Sequence, residues 1–277
     1  MRRNGQRNMD LDRSGDTSLL MTADDPAPVL EENASGRSPF LLISDHYGRA
    51  IPRVLGDLGL AESELERHIA WDIGIAGVAD ALSRHLGAHL VAQRYSRLVI
   101  DCNRPPQAPT SIPRISESTI IPGNEALSRE AAEARRRQVF DPYHRCIGEV
   151  IDRRLRDGIP TVLVALHSFT PVYANIARPW HVGTLYRRDS GLPSLLLKCF
   201  RAQADLVVGD NEPYAVSEET DYTIPVHGEA RGLLNSGIEI RQDLITEEAG
   251  QREWAERLAN IFGDIEAQLR ARALLRA

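Results

Sequence analysis

The run VLVAL, Val162 to Leu166, constrains this chain more than any other stretch. Five apolar residues without alternation read as a strand covered on both faces. A strand of that kind belongs to a sheet with helices on either side. The run leads straight into His167 and Ser168. Open α/β sheets place their ligands at the carboxyl ends of strands. His167 is therefore either a satisfied core histidine or part of a site.

The remaining sequence repeats the alternation of strand and helix. PFLLIS (39–44) reads as a short buried strand, and HLVAQ (89–93) and RLVID (97–101) are strand-like. ADLVVGD (204–210) and SGIEIRQDLI (236–245) read as two more. Helical spacing runs through 62–86, where Gly74 and Gly77 mark a break or a close contact. A second helix spans 127–155, with Ser128 as its N-cap and Pro142 as a kink or break, and a third spans 192–203. The last begins near Glu247, with Trp254, Leu258, Ile261, Ile265 and Leu269 on one stripe. This order predicts an α/β fold with a largely parallel sheet.

Residues 1–38 are polar and aperiodic, which predicts a flexible N-terminal tail, and they contain no apolar h-region of a secretory signal. Residues 39–277 show no repeat or linker and are expected to form a single domain. The segment 104–124 carries five prolines and reads as a long loop of the kind that often serves function.

A net charge of −6 and an aromatic content of 5% argue against nucleic acid as a partner. No apolar run approaches the ~18 residues of a membrane span. The cysteines, Cys102, Cys146 and Cys199, are odd in number and far apart. That argues against a disulfide framework or a CxxC zinc site and fits a reducing, cytoplasmic setting. Any metal site then falls to histidines and carboxylates.

Three polar signals sit on or beside strands. His46, in DHYGRAIP, follows the first strand and is either a turn-capping histidine or a ligand. His167 ends another strand. Two such histidines and one carboxylate make a three-ligand site with an open position, the pattern of catalytic zinc. Asp72, in AWDIG, is a carboxylate among apolar residues, which is costly unless a metal or an arginine pairs with it. Asp45 is the other choice, but neighbours on an extended segment face opposite ways. Glu239, inside a strand, is a candidate general base or an exposed residue pairing with Arg241. Arg104 opens the proline-rich loop and suits a bidentate grip on a carboxylate. Arg97 is a second choice, more simply read as a salt-bridge residue.

Together, SDHYGRAIP, AWDIG, YSRLVIDCNRP, LHSFTP, HVGTLY, DNEPY and HGEARGLLNSGIEIRQDLI, in order from residue 44 to 245, resemble the N-formylglutamate amidohydrolase family. That family is similar in turn to zinc carboxypeptidases. The resemblance implies a three-layer α/β/α sandwich with a mixed sheet, of the phosphorylase/hydrolase-like type. His167-Ser168 looks like the last zinc histidine pair of carboxypeptidases. Glu239 with Arg241 and Asp243 looks like the catalytic glutamate context, and Asn103-Arg104 like the pair holding a terminal carboxylate. The sequence departs at Arg49, three residues after His46, where carboxypeptidases place a glutamate ligand. That moves the carboxylate role to Asp72. His227 and Arg231, in HGEARG, are expected to line the substrate pocket. Arg114, Arg187 and Arg188 are candidates for a second carboxylate of the substrate.

The expected function is zinc-dependent hydrolysis of the amide C–N bond of a small N-acyl amino acid such as N-formyl-L-glutamate. One zinc per chain would sit on His46, Asp72 and His167. The alternatives are a carboxypeptidase-like metallopeptidase and a non-catalytic metal- or ligand-binding protein on the same fold. The sequence does not specify an oligomeric state.

Overall fold

A computed structural model of the chain describes residues 20–188 and 191–275. Its strands in chain order are β1 (Val29–Glu32), β2 (Phe40–Ser44), β3 (His89–Gln93), β4 (Ile115–Ser116), β5 (Thr119–Ile120) and β6 (Val162–Phe169). They continue with β7 (Val172–Tyr173), β8 (Ile176–Ala177), β9 (Val182–Leu185), β10 (Val208–Asp210) and β11 (Leu234–Arg241). Seven strands form one sheet in the order β1-β3-β2-β6-β11-β9-β10, while β4–β5 and β7–β8 are small hairpins. The central strands β3, β2, β6 and β11 run parallel, and β1 and β9 run antiparallel to their neighbours β3 and β11.

The helices are α1 (Glu62–Leu65), α2 (Ile75–Leu86), α3 (Arg129–Arg135), α4 (Asp141–Arg156), α5 (Leu192–Arg201) and α6 (Glu248–Ala271). One face of the sheet presents Leu42, Val162, Val164, Leu166, Ile238 and Ile240 to α2, α5 and α6. The other presents Leu41, Ile43, Leu163 and Ala165 to α4 and the turn before it. Helices on both faces explain why all eight residues of β6 are buried and why the strand reads as an unbroken apolar run. His167 shares the parity of Leu163 and Ala165, so it stands on the α4 side at the carboxyl end. The result is a three-layer, mixed, mostly parallel α/β fold, as the sequence predicts.

Several local expectations change. Val29–Glu32, expected within the flexible tail, is an edge strand paired with β3. Its hydrogen bonds and the ion contact of Glu31 with His89 hold a segment whose side chains carry no periodic signal. Residues 1–19 of the expected tail lie outside the described residues. RLVID (97–101) is a turn rather than a strand, because Arg97 folds back onto Asp101 four residues on. The helix expected over 127–155 is interrupted by a π turn, Arg136–Phe140, just before Pro142, whose missing N–H is tolerated in the first turn of α4.

The break expected near Gly74 is real, and it matters for the site. Gly74 caps α2 in the left-handed region at φ 80°, and a Cβ there would lie 2.0 Å from the Ile245 carbonyl oxygen. The chain therefore turns sharply into α2 at this point, and Asp72 hangs from the loop before it, its N–H bonded to the His46 carbonyl at 3.0 Å. Gly74→Val combines a strained φ with a backbone clash. It is expected to destabilise the protein by about 2 kcal/mol or more, read as a lower urea midpoint at unchanged m-value.

Candidate active site

Four side chains meet where β2, β6 and β11 end. His46 follows β2, and Asp72 comes from the loop before α2. In the parallel register of β6 and β11, His167 stands directly beside Glu239. All four are buried, at 2% to 6% exposure.

The two histidines share one geometry. Each turns Nδ1 toward Asp72, whose Oδ2 lies 3.0 Å from His167 and 3.5 Å from His46. Each turns Nε2 toward a different carboxylate. His46 Nε2 lies 2.7 Å from Asp101 Oδ1, and His167 Nε2 lies 3.3 Å from Asp45 Oδ2. Asp101 is steadied by Arg97, at 2.7 Å, and by the Asn103 N–H, at 2.9 Å. Asp45 accepts from Tyr143 Oη at 3.0 Å and Thr223 Oγ1 at 2.6 Å. Asp72 in turn accepts from the Ser168 N–H at 3.2 Å and lies 3.4 Å from Arg97.

The electrostatics follow from burial and pairing. Burial opposes ionisation of Asp72, but His46 and the hydrogen bond from His167 hold its carboxyl below the usual carboxylate range. Burial likewise disfavours charged His46 and His167, and Arg97 adds to that for His46; the surrounding carboxylates outweigh both and raise the two imidazoles. Burial pushes the Glu239 carboxyl up to about 7, against the pull of His167 and with Asp72 adding to it. Its Oε2 is buried without a hydrogen-bond partner among the described residues.

His46, Asp72 and His167 offer three ligand atoms all within 4.8 Å of one another, a group that could hold a metal ion. Their closer separations match the edge of a tetrahedron with bonds of about 2.0–2.1 Å, which is about 3.3 Å. Among the described residues His46 Nδ1 has no hydrogen-bond partner, although it is buried. With Nε2 turned to a second carboxylate, each imidazole presents Nδ1 toward the Asp72 side, where it would serve a metal once the Nδ1 proton that His167 shares with Asp72 is displaced. The donor set therefore fits a divalent ion.

A cavity of about 650 Å³ opens over these groups, lined at its mouth by Asn103, Arg104, Thr220 and Asp221. Arg104 bonds through Nη1 to the carbonyls of Asn103 and Thr220. The Asn103 side chain is spent on structure: it donates to Asp221 at 3.1 Å and accepts from the Tyr222 and Thr223 N–H groups at 3.1 Å. Arg97 lines the cavity and is held between Asp101 and Asp72, so the salt-bridge reading is the one observed. Asp45 backs His167 from the far side of the ring instead of joining the cluster around Asp72.

His227 and Arg231, expected to line the pocket, are not among the cavity's residues. His227 stacks on His144 with ring centres 5.3 Å apart, in a buried layer where burial pushes the two imidazoles down to about 3 and about 4. Arg231 pairs with Asp152 at 2.6 Å on the outside of α4. Arg114, Arg187 and Arg188 do not line the cavity either, and Arg187 is taken by Glu218 and Glu229. The sequence reading missed Asp101, which ends an apolar run just as His167 does. It also missed His68 and Glu117, 3.4 Å apart in the cavity wall, which no local pattern marks.

The family model described as N-formylglutamate amidohydrolase matches residues 38–246. The chain is 29% identical over 208 residues to the N-formylglutamate deformylase of Pseudomonas putida, covering 71% of this chain and 73% of that one. A gene product of Agrobacterium tumefaciens of known structure is 38% identical with a TM-score of 0.87, over 91% of this chain and 99% of that one. The N-formylglutamate amidohydrolase of Ralstonia eutropha is 20% identical and shares the fold, with a TM-score of 0.65 over 89% of this chain and 99% of that one. The family match encloses every residue from Asp45 to Glu239 that meets at the ends of β2, β6 and β11, and the chain belongs to the N-formylglutamate amidohydrolase family.

Proposed function

We propose that residues 39–277 act as one zinc-dependent amidohydrolase domain in the cytoplasm, hydrolysing the amide C–N bond of a small N-acyl amino acid of the N-formyl-L-glutamate type. The products are the free acid of the acyl group and the amino acid. One observation carries this reading. Two buried histidines point Nδ1 at a shared aspartate while their Nε2 atoms are each fixed by a second carboxylate. A core histidine has no use for that double arrangement.

His46, Asp72 and His167 would hold one ion, which supplies Lewis-acid polarisation of the acyl oxygen and lowers the pKa of an attacking water. The rest of the chemistry belongs to the chain. Glu239, with a pKa near neutrality, accepts the proton of the attacking water and returns it to the departing nitrogen. Arg104, already oriented by two carbonyls at the mouth, grips the substrate's α-carboxylate with its remaining N–H groups. Asp101 and Asp45 keep the two imidazoles in one tautomer and one orientation.

The test is elemental analysis of the native protein together with a turnover assay on N-formyl amino acids. About one zinc per chain and release of formate are expected. Metal-free protein that takes up no zinc, with no turnover of any N-acyl amino acid, refutes the reading.

A further inference from the structure

We infer that Arg178 determines specificity for a dicarboxylic substrate: it takes the side-chain carboxylate of an N-formyl-L-glutamate-like compound while Arg104 takes the α-carboxylate. This deepens the amidohydrolase reading and rests on it for the reaction, though not for binding.

The balance of charge around the cavity points there. A substrate that brings two carboxylates out of water needs two cations that no protein anion has claimed. Arg97 is claimed by Asp101 and Asp72. Arg67 meets the cavity wall through Glu117, at 2.5 Å, and also pairs with Glu64 at 2.5 Å. A substrate carboxylate there would have to displace one anion and face the other. His68 is pushed down by burial despite Glu117 beside it, so it is neutral near pH 7. Arg104 and Arg178 have no carboxylate partner among the described residues.

Arg178 is held ready by aromatic rings. Its guanidinium carbon lies 4.7 Å from the ring centres of both Tyr173 and Tyr214 and 6.0 Å from that of Phe169. All three rings line the cavity, and Arg178 sits behind them. The ring faces attract the cation but do not use up its N–H donors. Nη1 is buried with no hydrogen-bond partner among the described residues. A planar carboxylate is the acceptor that completes such a group. The rings also set the distance. Burial pushes the Tyr214 hydroxyl up, Glu239 adds to this, and Arg178 pulls against it. One side chain is therefore within electrostatic reach of both the reacting carboxyl and the guanidinium. The side-chain carboxylate of glutamate ends only a few bonds from the scissile amide, which suits that span. Tyr173 and Tyr214 are 41% and 44% exposed, and Tyr173 belongs to the exposed β7–β8 hairpin. The two rings can part for a ligand without opening the core.

The experiment compares kcat/KM for N-formyl-L-glutamate and its neutral isostere N-formyl-L-glutamine on the metal-loaded protein. Native protein is expected to prefer the glutamate compound by at least about tenfold. Arg178→Met is expected to bring that ratio to about one, chiefly through KM, and Arg178→Lys to restore part of it. An arginine that merely props the hairpin would lower both substrates together and leave the ratio alone, which overturns the assignment. A ratio that survives Arg178→Met and collapses in Arg67→Met gives the subsite to Arg67 instead. Calorimetric binding of the two compounds to Glu239→Gln, with and without Arg178→Met, separates this inference from the reaction. Tighter binding of the glutamate compound that depends on Arg178, without turnover by native protein, supports the subsite and sinks the hydrolase. Turnover without preference for glutamate over glutamine sinks the subsite and leaves the hydrolase standing. Binding of neither compound overturns the subsite as well.

Discussion

Glu239→Gln is expected to lower kcat by about 10²–10⁴ while leaving the zinc content unchanged. The two carbonyl-type groups are nearly isosteric, but the amide cannot take a proton. Glu239 lies beside His167 yet is not among the three residues whose ligand atoms converge, so the ion should not notice the change. The pH dependence gives a second readout. The base works deprotonated, so kcat/KM rises with pH through an acid limb at or below about 7, because a nearby cation can only pull the carboxyl down. The variant should lose that limb. Metal-free protein gives a third. A carboxyl raised from 4.5 to about 7 by burial contributes stability that is complete below about 4.5 and gone above about 7. Across that window native protein should lose up to about 3 kcal/mol that the variant does not. If activity falls only a few-fold and the acid limb persists, another group is the base.

The architecture was legible because two-sided burial leaves a strong mark. β2 and β6 are apolar at nearly every position, since helices cover both faces of the sheet. His46 and His167 stood out because each follows a buried apolar run, and Asp72 because it is a carboxylate among apolar residues. Asp101 bore the same mark and was passed over because RLVID reads as a strand by composition, whereas the Arg97–Asp101 pair bends it into a turn. β1 was invisible, because an edge strand with one side in solvent needs hydrogen bonds from β3 more than it needs apolar side chains. His227 and Arg231 failed differently. Their stretch, HGEARG, opens in a π turn behind β11, so they lie close to Glu239 in sequence but face His144 and Asp152. Arg178 carried no mark either, because Tyr214 is remote from it in sequence and meets it only in the fold.

His167→Ala is the variant that separates a metal site from a well-paired core histidine. Under the metal reading it removes one of three ligands, and zinc retained after gel filtration should fall from about one per chain to near none. Removing the imidazole also takes one partner from two buried carboxylates, Asp45 at 3.3 Å and Asp72 at 3.0 Å, each of which keeps other donors. Breaking a buried pair from one side costs about 3–5 kcal/mol, so the metal-free variant should be less stable than metal-free native protein by that order. The sign of its pH dependence is fixed. The carboxylates raise the His167 pKa in the folded state against the cost of burial. The stability it brings is therefore complete below about 6.5 and fades as pH climbs toward the raised value. The deficit of the variant in urea should be largest near pH 6 and smaller near pH 9. With zinc the order reverses, because the ion displaces the proton shared with Asp72 and binds more tightly as pH rises. Native protein should then gain most from zinc at the alkaline end, and the variant should gain nothing at either pH. A deficit that ignores both pH and zinc would mean that His167 is neutral in the core, and that Asp45 and Asp72 serve only to hold it there.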